Sequence, residues 1–200
     1  MTTWSSKQAA ALGMIFMLGA CEDMGIGGLA SLTAPDDTAL PAVPLTQALM
    51  MRGAVTLVPP TGYCIDPDSL TQSFAMMARC DTLGAATGSS GAPAGLLTVS
   101  LSRMAKDASL PTAQEIATAG GLSSPQSVQH ADTNVVFKTS GEAPASGLSP
   151  DHWRAVARVD RFSLGAALYG PDAHRAVSSE GAGVLQDMIK RTSETNNALQ

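Results

Sequence analysis

Two runs of alternation near the C-terminus limit this chain more than any other feature. Trp153, Ala155, Ala157 and Val159 recur at every second position, and Phe162, Leu164, Ala166 and Leu168 repeat the pattern after Asp160-Arg161. A period of two puts each set on one side of a β-strand. The two residues between the runs are enough to reverse the chain, so the pair reads as an antiparallel hairpin with one buried face. Arg154 and Arg158 fall on the other face of the first run. The expected fold is therefore α+β, built on a mainly antiparallel sheet rather than on packed helices.

The N-terminus carries a different kind of signal. Lys7 precedes an almost unbroken apolar run, AAALGMIFMLGA, and no acid occurs before Glu22. A short cationic segment followed by about a dozen apolar residues is the layout of an export signal. The run falls short of the about 20 apolar residues that span a bilayer. It ends in Leu18-Gly19-Ala20-Cys21, which resembles the lipobox of bacterial lipoproteins: a branched apolar residue and two small ones before an obligatory cysteine. The resemblance implies cleavage before Cys21 and a diacylglycerol on its thiol. It also implies a protein on the outside of a membrane, with palmitate-type chains as its anchor. Two or more acyl chains suffice for stable attachment. Glu22, rather than Asp, follows the cysteine, which favours the outer membrane over the inner.

With Cys21 assigned to lipid, Cys64 and Cys80 remain. In an oxidising compartment such a pair reads as a disulfide, the alternative being two reduced, buried thiols. A hairpin folded midway between them would bring them nearly opposite each other.

Residues 22–48 are rich in Gly, Pro and Asp, which disfavour regular structure. We expect a flexible tether to about residue 52, with a coil reach on the order of 30 Å. The expected organisation is a signal peptide at 1–20, lipidated Cys21 and linker at 21–52, one domain at 53–196 and a frayed tail at 197–200. The domain should hold about six strands. These include Ala54–Val58, Tyr63–Asp66, Ser73–Cys80, Leu96–Met104 and Asn134–Thr139, besides the hairpin. Thr112, with Glu115 three residues later, has capping-box spacing and starts a short helix that ends at Gly120-Gly121. Val184, Leu185, Met188 and Ile189 form the stripe of a C-terminal helix from Ser178 to about Thr195, packed on the sheet. In element order, and in that alone, the chain resembles Mog1/PsbP-like α/β/α sandwich proteins. The segments GYCID and HWRAVARVD resemble the framework of an exported bacterial domain, a likeness that names no activity.

A net charge of −5 with scattered cations is not built to hold a phosphate backbone, so nucleic acid is not an expected partner. No motif implies a metal or other cofactor. His130, His152 and His174 are widely spaced, and no CxxC or HExxH occurs. Gly88-Ser89-Ser90-Gly91 lacks the spacing of a nucleophile elbow. Asp66-Pro67-Asp68-Ser69 reads as an Asx turn rather than a phosphatase motif. Trp153 is expected in the core. Arg154 and Arg158, beside Tyr63 or Tyr169, are the candidate binding face for an acidic group or an envelope protein. The sequence thus favours a membrane-anchored, non-enzymatic interaction or accessory module. Its rival is an envelope hydrolase, which would gather the histidines and nearby carboxylates in one pocket.

Overall fold

Seven strands form one fully antiparallel sheet in a computed structural model that describes residues 43–86, 88–89, 91–105 and 107–199. In chain order the elements are β1 (Ala48–Met50), β2 (Val55–Leu57), β3 (Tyr63–Ile65), β4 (Phe74–Arg79), β5 (Leu96–Arg103), α1 (Ala113–Ala119), β6 (Gln126–Ala131), β7 (Asn134–Ser140), β8 (Asp151–Val159), β9 (Phe162–Tyr169) and α2 (Glu180–Asn197). The sheet order is β3-β4-β5-β9-β8-β7-β6. The α+β class and the C-terminal helix expected from the sequence are present. The signal peptide, Cys21 and the first part of the linker lie outside the described residues.

The β8–β9 hairpin is the centre of the sheet. Val159 pairs with Phe162 across Asp160-Arg161, and the ladder continues to His152 opposite Tyr169. Asp160 takes the left-handed backbone conformation (φ 52°) that a two-residue hairpin turn requires. The alternation then sorts the side chains. Trp153, Ala155, Ala157, Leu164, Ala166 and Leu168 join Leu97, Val99 and Leu101 on one face, where Leu185, Met188 and Ile189 of α2 cover them. Burying each large aliphatic side chain contributes roughly 1.5–3 kcal/mol. Trp153 is in the core as expected, and its indole N–H donates to the Ser178 carbonyl at 2.7 Å.

Two sequence expectations need correction. First, the strand at Ala54–Val58 is not part of the main sheet. It is β2, which pairs only with β1 in a separate two-stranded sheet. β1 lies in the stretch that reads as linker, where Pro41 and Pro44 mask the apolar Leu45, Ala48 and Met50. Ala48 and Met50 are buried, and Leu45 bridges Ile65 at the β3 edge. The free edge of β2 is met by α2 side chains rather than by a strand. Asn196 accepts from Thr56 N and donates to Thr56 O, both at 2.9 Å, and the Thr192 hydroxyl does the same for Val58. Buried backbone groups are thereby satisfied.

Second, the main sheet has seven strands because of β6, which is absent from the strands expected above. Gln126–Ala131 has no buried face at all, so no alternation marks it.

The opposite face of the sheet is only half covered. α1 begins with the expected Thr112–Glu115 capping box and packs Ala113 and Ala117 on Val135, Phe137 and Val156. It shields β7 and β8. Beyond it, Phe74, Thr98 and Ser100 of β4 and β5 retain solvent exposure.

Candidate functional site

The half-covered face carries both arginines singled out from the sequence. Residues 152, 154, 156 and 158 of β8 point to this side, and so do 165, 167 and 169 of β9, because the strands alternate in register. Arg154 sits at a groove of about 160 Å³. Phe74 and Ile116 stand at its sides, and Thr98, Ser100 and Ala167 contribute to its floor. Gly165 keeps that floor low: a β-carbon there would lie 3.0 Å from the Ser100 hydroxyl oxygen.

Three residues fix the Arg154 side chain. Its Nε–H donates to Nε2 of His152 at 3.0 Å, and Nη2 donates to the Tyr169 hydroxyl at 3.1 Å. His152 Nδ1 lies 2.8 Å from the Pro150 carbonyl. These contacts determine the tautomer. The Pro150 oxygen can only accept, so Nδ1 carries the proton, and Nε2 offers its lone pair to Arg154. His152 is therefore a neutral imidazole. It is fully buried and stacks on Tyr169, with ring centroids 4.6 Å apart. Burial holds its pKa below the ordinary histidine value; the hydrogen bond to the Pro150 carbonyl opposes this in part, the Arg154 charge adds to the lowering, and Asp151 opposes it least.

The guanidinium charge is not neutralised by these contacts. Among the described residues neither Arg154 nor Arg158 forms a salt bridge. The adjacent acid, Asp151, alternates to the other face, where it bonds Ser140 and lies 3.3 Å from Lys138. Arg158 is tied differently, donating from Nη2 to the Ala108 carbonyl in the loop before α1. The structure thus places both arginines on one face but builds a preorganised site around Arg154 alone. Tyr169 is its neighbour. Tyr63 is not, and donates its hydroxyl to the Pro93 carbonyl at 2.7 Å.

The other candidates fall elsewhere. Cys64 and Cys80 form a disulfide with Cα atoms 4.8 Å apart. They are not directly opposite, since Cys64 pairs with Ala78 and Cys80 lies one residue past the end of β4. His130 is exposed on β6, and His174 precedes a short 3₁₀ turn at Arg175–Val177. Among the described residues no group of three His, Cys, Asp or Glu is placed to hold a metal ion. Asp66 forms the expected turn, its carboxylate accepting from the Asp68 amide at 3.0 Å. The sequence alone does not assign His152 a role at this face. The hairpin register that sets it opposite Tyr169 is the available signal.

No protein-family model matches the chain. No curated protein matches it significantly. Among solved structures, the chain is similar to the Saccharomyces cerevisiae Ran-binding protein Mog1p, with 11% identity and a TM-score of 0.47 over 77% of this chain and 98% of that one. It is also similar to a point mutant of Mog1, with 13% identity and a TM-score of 0.45 over 72% and 92% of the two chains. A third likeness is to PsbP (CyanoP) of Synechocystis sp. PCC 6803, with 11% identity and a TM-score of 0.38 over 77% and 94%.

Proposed function

We propose that this chain is an envelope lipoprotein, anchored in the membrane through Cys21, whose domain is a non-enzymatic interaction or accessory module. Its contact surface is the half-covered sheet face around Arg154. The observation that carries the reading is Arg154 itself: a cation oriented by two neutral, buried acceptors beside a groove, with no acid from the described residues to neutralise it. A charge left in this state favours a negatively charged group arriving from outside. The anchor rests on the apolar run and Leu18-Gly19-Ala20-Cys21. The Cys64–Cys80 disulfide suits an oxidising compartment. Among the described residues no helix is long and apolar enough to cross a membrane.

A photo-crosslinking amino acid at Ser100, on the exposed floor of the groove, tests the surface in cells. Adducts to an envelope protein are expected from Ser100 in the membrane fraction, and Arg154→Gln should remove them. Adducts from Lys190 on α2 with none from Ser100 would contradict the assignment of the face. Cys21→Ser should abolish fatty-acid labelling, and persistent labelling would refute the anchor.

A further inference from the structure

Resting on that reading of the face, we infer that the Arg154 groove is a binding site for a carboxylate on a short apolar stem. The recognition group is the guanidinium. Of its five N–H donors, Nε–H and one on Nη2 are engaged by His152 and Tyr169. The two engaged donors belong to the edge shared by Nε and Nη2. The edge formed by Nη1 and Nη2 keeps a parallel pair of N–H bonds, the fork that a carboxylate matches with both oxygens.

The surroundings narrow the ligand further. A single positive charge balances one carboxylate, and Arg158 is directed to the Ala108 carbonyl. The groove has a volume of about 160 Å³. That space admits a carboxylate and a short stem. Phe74 and Ile116 offer the stem apolar walls, while the Thr98 and Ser100 hydroxyls line the floor. The same chemistry has two sources: a free short-chain carboxylic acid, or an Asp or Glu side chain presented by a partner.

The network is not explained by packing alone. Apolar residues at 152 and 154 would fill this face without a buried imidazole or a half-buried cation, each of which costs desolvation. Committing His152 and Tyr169 to one arginine fixes the orientation of its fork before a ligand arrives, which lowers the ordering cost of binding.

The test is a nuclear magnetic resonance titration of the full chain in detergent micelles, following the Arg154 side-chain N–H signals and the Thr98 and Ser100 amides. The probes are propionate, glutamate blocked at both backbone ends, propionamide and inorganic phosphate. Saturable shifts are expected with a carboxylate, weaker ones with phosphate, which meets the fork but brings no apolar stem, and none with propionamide. Shifts with propionate alone identify a free acid as the source; shifts with blocked glutamate, with or without propionate, identify an acidic side chain as a competent ligand. Arg154→Gln should weaken binding by about tenfold or more, and Arg154→Lys, a point charge without the fork, should not restore it. Ser100→Leu fills the groove from an exposed position. It should block binding while leaving the Arg154 signals in place, which separates a lost site from a lost fold. No saturable shift with either carboxylate, or equal shifts with phosphate, would overturn the inference. The interaction reading would survive that failure if Ser100 crosslinks persist, so the two can fail separately.

Discussion

His152 and Tyr169 face each other across the β8–β9 hairpin, with rings stacked at 4.6 Å and tilted by 29°. Between them they hold the Arg154 guanidinium, and the arrangement requires His152 to be neutral. A proton on Nε2 would set donor against donor and add a second positive charge beside the first.

Stability should therefore depend on pH in a defined direction. The folded pKa of His152 is lowered, chiefly by burial, so the unfolded chain takes up this proton more readily. The cost is absent above the unfolded value of about 6.5 and grows as pH falls through it toward the lower folded value. Urea denaturation at about pH 7 and about pH 5 should show a loss at the acidic value that shrinks in His152→Gln. An equal loss in both proteins would exclude this group as the cause.

Gly181 tests how closely α2 approaches the sheet. A β-carbon there would lie 2.1 Å from the Ala176 carbonyl oxygen and 2.4 Å from Cδ1 of Trp153. Replacing glycine by alanine in an exposed helix is normally favourable by about 1 kcal/mol. Here the clash should reverse the sign, and Gly181→Ala should destabilise by about 1–3 kcal/mol in denaturant unfolding. Gly183, in the same helix, serves as the control, because a β-carbon added there would meet nothing within 4 Å. Gly183→Ala should be neutral or stabilising.

The disulfide closes a loop with a sequence separation of 16 and secures β3, the outermost strand on its side. Loop-closure entropy puts its contribution at about 3 kcal/mol. Cys64→Ala with Cys80→Ala should lower unfolding stability by about that amount. It should leave the Arg154 signals unchanged, because the groove is lined from β4, β5, α1, β8 and β9 and neither cysteine is among its lining residues.

How far the sequence reveals this molecule depends on which forces leave a periodic trace. The β8–β9 hairpin, β5 and α2 each set an apolar series into the main core, so those residues repeat at fixed intervals, and α1 is marked by its capping box. β6 leaves no such trace, being exposed throughout, and β1 follows prolines that read as linker. The groove is legible in part. Arg154 stands out as a cation on a strand otherwise rich in apolar residues, and Tyr169 is among its expected neighbours. The role of His152 is not visible, because a lone histidine carries no spacing signal. Its partners are set by strand register and by the Pro150 carbonyl. Nor does the sequence separate Arg154 from Arg158, since their different hydrogen bonds depend on where the loop before α1 passes.

Everything proposed for the groove requires Arg154 to be held by a neutral His152 before any ligand arrives. Nitrogen-15 spectroscopy of the unliganded full chain can detect the scalar coupling that passes through a hydrogen bond between two nitrogens. A coupling between Arg154 Nε and His152 Nε2, with the His152 proton on Nδ1, is the predicted result. A His152 ring protonated on Nε2 at neutral pH, with no coupling to Arg154, would contradict it.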